Sequence, residues 1–283
     1  MNKISTLATH YISEENNFGF SSKEYSKFKF GSSKIGQLFG DELFKKLINQ
    51  KNREISSYKK IYVFTSPYDF IPTATNTMFE SFFNKLSKHL TSKCVVEKRK
   101  IHRNTTYTND YGSLSKDQRM KLISNDSFNL KNDFEGNELL IFLDDIKITG
   151  SHEFVVKKTL KKNRITNDVF FMYHAILNNK NIDPIFENLL NYSYVKGVNE
   201  ILKIYNKSDF VLNTRFTKYI LQLSDDDINY FLSCIDTEGI EAIIIASNGN
   251  KYNNIPEYFK NLKKIIRLQE NSTKKKKNHI NSF

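Results

Sequence analysis

The run Leu139-Leu140-Ile141-Phe142-Leu143-Asp144-Asp145-Ile146-Lys147-Ile148-Thr149-Gly150-Ser151-His152 constrains the fold of this chain more than any other stretch. An unbroken apolar run that ends in turn residues reads as a strand buried on both faces, as in the centre of a parallel sheet. Residues 153–162 read as the helix that follows, with Phe154, Val155, Val156 and Leu160 turned toward the sheet. The intervening turn then lies at the carboxyl edge of the sheet, where open α/β folds bind ligands.

The residue types of that turn specify a ligand chemistry. Backbone N–H groups from Ile148, Thr149, Gly150, Ser151 and His152 sit at a helix N-terminus, and Gly150 lets an anion approach closely, so they suit a terminal phosphate. Asp144 and Asp145 just upstream accept hydrogen bonds and can take both hydroxyls of a ribose. Ribose plus phosphate is the implied ligand. Two other uses of the same carboxylates stay open: a strand end that favours the following helix through its dipole, and an acidic Mg²⁺ pocket like that of receiver domains.

At these residues the chain resembles the phosphoribosyl diphosphate (PRPP) motif of type I phosphoribosyltransferases, in which apolar residues lead into Asp-Asp, a short spacer, Thr-Gly and a small residue. The resemblance implies an open, mainly parallel twisted α/β sheet with flanking helices. It also implies a reaction in which PRPP with Mg²⁺ loses pyrophosphate to a nitrogen nucleophile. Asp144 and Asp145 would hold the ribose hydroxyls and orient the ring, and Ile148 to His152 would hold the 5′-phosphate. Ile148 and His152 stand where the family often carries hydroxyl residues. No protein ligand to the metal is assigned.

Upstream, residues 60–65 read as a strand, 66–72 as a proline turn, and 73–90 as an amphipathic helix with Met78, Phe79, Phe82, Phe83 and Leu86 inward. The turn looks like the family's pyrophosphate loop, which points to Ser66, Pro67, Tyr68 and Asp69. Its order is similar to that of orotate phosphoribosyltransferases, except that Asp69 stands where those enzymes carry Lys. A carboxylate beside pyrophosphate repels it unless Mg²⁺ bridges the two. Between the two units lies a long polar stretch opened by Lys98, Arg99, Lys100, His102 and Arg103. The resemblance makes it the mobile lid that meets the departing pyrophosphate; residues 115–128 are similar to competence protein F-type enzymes, with Ser115 capping a helix start.

Elsewhere the chain sets bounds. At 283 residues, 39% hydrophobic and 26% charged, it has the composition of an ordinary globular protein. No apolar run reaches membrane-spanning length, the first residues carry no secretory pattern, and Cys94 and Cys234 predict neither disulfides nor a zinc site, so a cytoplasmic location is expected. Residues 1–59 read as an N-terminal arm or hood carrying a helix at 33–48, with Ile35, Leu38, Phe39, Leu43, Phe44 and Leu47 at helical spacing. Residues 60–180 read as the α/β core and 181–270 as a helical region with Ser224 an N-cap and Gly249 a C-cap. Residues 271–283 read as a disordered basic tail.

The formal charge of +12 and pI near 9.4 exceed what a small anion needs. The run Lys274, Lys275, Lys276 and Lys277 therefore keeps nucleic acid open as a partner. Three functions follow: a phosphoribosyltransferase using PRPP or a related nucleotide with Mg²⁺; a catalytically silent nucleotide sensor; and a nucleic-acid-associated defence effector or partner, as in retron-type conflict systems. Assembly with itself or with a partner protein of such a system is compatible with each.

Overall fold

The structure is a computed structural model that describes residues 3–15, 17–103, 115, 117–118, 128–130 and 133–280. Five parallel strands form one sheet in the order β1-β7-β6-β2-β3: β1 Ile4–Ile12, β2 Lys60–Phe64, β3 Val95–Arg99, β6 Glu138–Lys147 and β7 Asp168–Leu177. A small antiparallel pair, β4 His102–Arg103 and β5 Phe128–Asn129, sits between β3 and β6 in the chain. The mainly parallel α/β sheet expected from the apolar runs is therefore present.

Helices cover both faces. On one lie α1 (Ser22–Lys29), α2 (Ser33–Ile55) and α3 (Thr75–Leu90), whose Phe28, Phe39, Leu43, Leu47, Met78, Phe82 and Leu86 meet Leu139, Ile141 and Leu143 of β6. On the other lies α4 (Ser151–Lys162), whose Val155, Val156 and Leu160 meet Leu140 and Phe142. Side chains alternate across a strand, so β6 feeds both layers. Two residues expected inward face outward: Leu38 and Phe154 are each half exposed.

The N-terminal segment is not an arm. β1 pairs with β7 from Ile4↔Val169 to Ile12↔Leu177 and forms one edge of the sheet, while α2 packs along α3. The close approach of those helices depends on Gly36 and Gly40, one turn apart on the buried face of α2. A methyl group added at Gly40 would stand 2.3 Å from the Met78 carbonyl oxygen and 2.9 Å from Ser81 Cβ. Gly40→Ala should thus lower stability by about 1–3 kcal/mol through overpacking, although alanine is the better helix former. Urea denaturation checks it, and a more stable variant would refute the close-packing argument.

α5 (Phe186–Asn191) adds Phe186 and Leu190 to the core beneath α1–α3, and the helices after it pack around a second core: α6 (Val198–Tyr205), α7 (Thr214–Leu221), α8 (Asp225–Cys234), α9 (Thr237–Gly249) and α10 (Pro256–Ile280). Ile201, Phe216, Ile220, Phe231, Tyr252, Tyr258 and Ile265 are buried there together with Phe30. Ser224 caps α8 by accepting from Asp227 N–H, as expected. Gly249 is the last residue of α9 and not its C-cap; it is needed because the Phe70 ring lies against it, 2.1 Å from where a Cβ would stand. α10 continues through Lys274 to Lys277, where a disordered end was expected. No helix among the described residues is long and apolar enough to cross a membrane.

Candidate functional site

The turn after β6 is built as its residues require. Gly150 adopts φ +74°, a conformation that glycine enters without steric cost, and α4 starts at Ser151. Thr149 and Ser151 hydroxyls lie 2.6 Å apart. The first turn of a helix leaves N–H groups without acceptors inside the helix, and its dipole favours an anion there. Residues 148–152 thus join the tip of β6 to the first turn of α4.

The two carboxylates separate. Asp144 points to the α4 face, where Oδ2 lies 3.0 Å from His152 Nδ1 and Oδ1 accepts a hydrogen bond from Ser66 Oγ at 2.7 Å. It is only partly buried and so links the turn after β6 to the loop after β2. Asp145 points to the α1 face and is buried. Its Oδ2 accepts from the Tyr25 hydroxyl at 2.9 Å and from Lys29 Nζ, and its Oδ1 from Ile146 N–H at 2.9 Å. Burial alone would raise its pKa; the Lys29 charge and the hydrogen bonds from Lys29, Tyr25 and Ile146 outweigh this and hold it at about 2. Burial and the Asp145 charge push the Tyr25 phenol well above its ordinary range. The expected pair of ribose-holding carboxylates is thus divided by strand alternation: Asp144 meets the turn, and Asp145 anchors α1.

Tyr25 and Lys29 were missed from sequence, although a signal was present. Ser21 and Glu24 have the spacing of a capping box, and Ser21 Oγ accepts from Glu24 N–H. Phe20 and Tyr25, five residues apart across that cap, have ring centroids 5.7 Å apart in the manner of a hydrophobic staple. With α1 recognised, Tyr25 and Lys29 at i and i+4 share one face.

Glu153 is a second missed residue. Buried in the first turn of α4, it accepts from Lys147 at 2.7 Å, Lys157 at 2.5 Å and the Tyr173 hydroxyl at 3.0 Å. Burial raises its pKa, but those lysines overcome it and the net direction is downward. Lys147 and Lys157 are consequently engaged by a carboxylate beside the turn.

In the proline loop, Ser66 reaches Asp144, whereas Asp69 is exposed. The loop is clamped by the helical region: Asn250 Oδ1 accepts from Phe70 N–H at 3.0 Å and Ile71 N–H at 3.2 Å, and Thr214 N–H donates to the Pro72 carbonyl at 3.0 Å. Lys100 Nζ donates to the Asp69 carbonyl at 2.7 Å and lies 4.2 Å from the Tyr68 ring centroid.

The basic residues assigned to a lid divide as well. Lys98 and Arg99 belong to β3, an edge strand, and are paired with Glu80 at 2.5 Å and Asp133 at 3.2 Å. Lys100 follows the strand and meets the proline loop. The backbone of His102 and Arg103 forms β4; their side chains lie outside the described residues, as does most of the segment 104–127. Ser115 and Gln118 exchange capping hydrogen bonds, Gln118 N–H to Ser115 Oγ and Ser115 N–H to Gln118 Oε1.

The geometry therefore offers a helix end opened by Gly150, a carboxylate poised by a serine and a histidine, and a second loop joined to that carboxylate through Ser66. A hard divalent cation fits here chiefly through a ligand's own oxygens: Asp144 and the exposed Asp69 are the nearby carboxylates of the two loops, and Mg²⁺ usually keeps waters and takes one or two carboxylates plus substrate phosphates. No curated protein matches the chain. A family model described as PRTase ComF-like matches residues 4–265, from the first strand through the helical region. With the parallel sheet and the turn after β6, that match means that the chain belongs to the ComF-like family of type I phosphoribosyltransferases.

Proposed function

We propose that this protein binds PRPP as its Mg²⁺ complex at the turn between β6 and α4 and transfers phosphoribose to a nitrogen nucleophile with release of pyrophosphate. The observation that carries this reading is Asp144, set between Ser66 and His152 at the mouth of the Gly150 turn. In it, residues 148–152 take the 5′-phosphate and Asp144 accepts hydrogen bonds from the ribose hydroxyls. Bound Mg²⁺ would neutralise pyrophosphate charge, which turns Asp69 from a repulsive neighbour into an oxygen donor toward the metal shell. Positive charge grows on the ribose ring as the bond to pyrophosphate breaks, and the Asp144 carboxylate favours it. Lys100, whose ammonium lies beside the Tyr68 ring and the Asp69 carbonyl, would meet the leaving group in this reading.

A second reading, a sensor that binds PRPP or a related nucleotide without turnover, is favoured by one feature. Lys98 and Arg99, the basic residues that would assist the leaving group, are already paired with Glu80 and Asp133.

Calorimetry of PRPP with Mg²⁺ on the intact chain and on Asp144→Ala tests binding. Hydrogen bonds to a charged group contribute about 1.5–3 kcal/mol, so Asp144→Ala should weaken binding by about 10- to 150-fold. Unchanged affinity in a folded variant would remove Asp144 from the site. Absence of binding to the intact chain would remove the PRPP reading. Pyrophosphate release on adding candidate nitrogen acceptors separates transfer from sensing.

A further inference from the structure

Apart from the phosphate turn, three metal-ligating side chains converge on the α1–α2 face of the sheet. His10 comes from β1, His174 from the neighbouring β7, and Glu42 from α2, which crosses both strands. Glu42 Oε2 lies 3.7 Å from His10 Nε2 and 3.8 Å from His174 Nδ1. All three donor atoms fall within 4.8 Å of one another.

His174 makes the cluster more than a chance meeting. It is 0% exposed, and neither of its ring nitrogens has a hydrogen-bond partner; nor has Glu42 Oε2. A neutral imidazole carries one donor and one acceptor, and leaving such groups buried and unpaired costs about 1–3 kcal/mol each. The ring cannot turn away to find a partner. Phe39 stacks on it at 3.7 Å and 22°, and Phe20 meets it edge-on at 4.9 Å. Packing thus fixes a ring whose Nδ1 lies beside Glu42 and whose two nitrogens are satisfied by no protein group.

We propose that His10, Glu42 and His174 form a binding site for a borderline divalent transition metal of the Zn²⁺ class. Two imidazoles and one carboxylate suit Zn²⁺ and its first-row neighbours, whereas Mg²⁺ and Ca²⁺ take oxygen ligands. Zn–ligand bonds of about 2.0–2.2 Å in a tetrahedron put neighbouring donors roughly 3.3–3.6 Å apart. The separation between the two imidazole donors is at most 4.8 Å and needs up to about 1.5 Å of closure from His10, the more exposed imidazole, whereas the separations of 3.7 and 3.8 Å to Glu42 need only a few tenths of an ångström. Glu42, 45% exposed at its side chain, can supply that movement and leaves a route for the ion from solvent. Three protein ligands leave a fourth position for water. The ion would tie edge strand β1 to β7 and to α2. It is separate in chemistry from the Mg²⁺ that accompanies PRPP.

The test uses the full chain, stripped with chelator and titrated with Zn²⁺ and with Co²⁺, followed by calorimetry, thermal unfolding and the visible spectrum of cobalt. Glu42→Gln and His10→Ala serve as variants, because these ligands lie nearer the surface than His174 and their folding is checked by circular dichroism. Expected are one equivalent of metal, a rise in Tm, a cobalt spectrum without thiolate charge transfer, and at least about tenfold weaker binding in each variant, with Mg²⁺ in excess not competing. A folded wild-type chain that takes neither ion, or either folded variant binding as the wild type does, overturns the proposal and leaves an ordered water as the bridge.

Discussion

Asp145→Ala should destabilise the protein by about 3–5 kcal/mol, because it leaves the Lys29 ammonium and the Tyr25 hydroxyl without their acceptor in a buried setting. An ion pair inside a protein adds little by its presence, yet removal of one partner strands the other charge. A Lys29→Met, Asp145→Ala double variant should therefore recover much of the loss, and denaturant unfolding of the wild type, Lys29→Met, Asp145→Ala and the double variant gives the coupling directly. If the single and double variants were equally unstable, loss of packing and not a stranded charge would be the cause. Asp144→Ala, at a partly exposed position, should cost far less stability while affecting PRPP. That outcome would assign the adjacent carboxylates separable roles.

The same pair sets an acid limit. Since the folded pKa of Asp145 is depressed to about 2, below an unfolded value of about 3.9, its contribution is fully present above roughly pH 4. It is lost as the pH falls from there toward about 2, as the unfolded chain takes up the proton first. Stability measured from pH 6 down to 2 should fall less steeply in Asp145→Asn than in the wild type, and parallel curves would exclude this residue as the source.

Asn250→Ala should cost about 2–3 kcal/mol and should loosen the loop after β2. One amide oxygen accepts both Phe70 and Ile71 N–H, and the amide nitrogen donates to the Tyr252 hydroxyl at 3.0 Å. Asn250 and Ile71 are buried, so the alanine variant leaves a donor orphaned rather than hydrated. Amide hydrogen exchange should report faster exchange at Phe70 and Ile71 than at β2. Unchanged protection with a loss under about 0.5 kcal/mol would mean that the loop holds itself.

The legible part of the fold was the part with long apolar period. β6, β2 and α3 were found because continuous or strongly periodic apolar runs leave few alternatives, and the PRPP-like turn came with them. β1 escaped because Ile-Ser-Thr-Leu-Ala-Thr-His-Tyr-Ile mixes polar with apolar residues, as suits an edge strand that is half covered. The division of Asp144 from Asp145 follows from strand alternation, but only if the strand is known to continue to Lys147. The helix that carries Tyr25 and Lys29 was signalled by its capping box, but their pairing with Asp145, like that of Asn250 with the loop after β2, spans 116 to 180 residues, and local pattern carries no such information. Glu153 was hidden in plain view as one more charge in a basic helix.

The pairing of β1 with β7 also orders events during synthesis. β1 can dock only on β7, whose first residues lie some 165 positions later in the chain. On a ribosome β1 is made well before β7 and finds its neighbour only after the sheet up to β7 has emerged, so its hydrogen-bonding edge stands open meanwhile. Long-range parallel pairing is slow to close and exposed to wrong partners while it waits. Slow elongation before residue 168 should accordingly prolong the vulnerable interval, whereas a pause after residue 177 should give the edge time to seal.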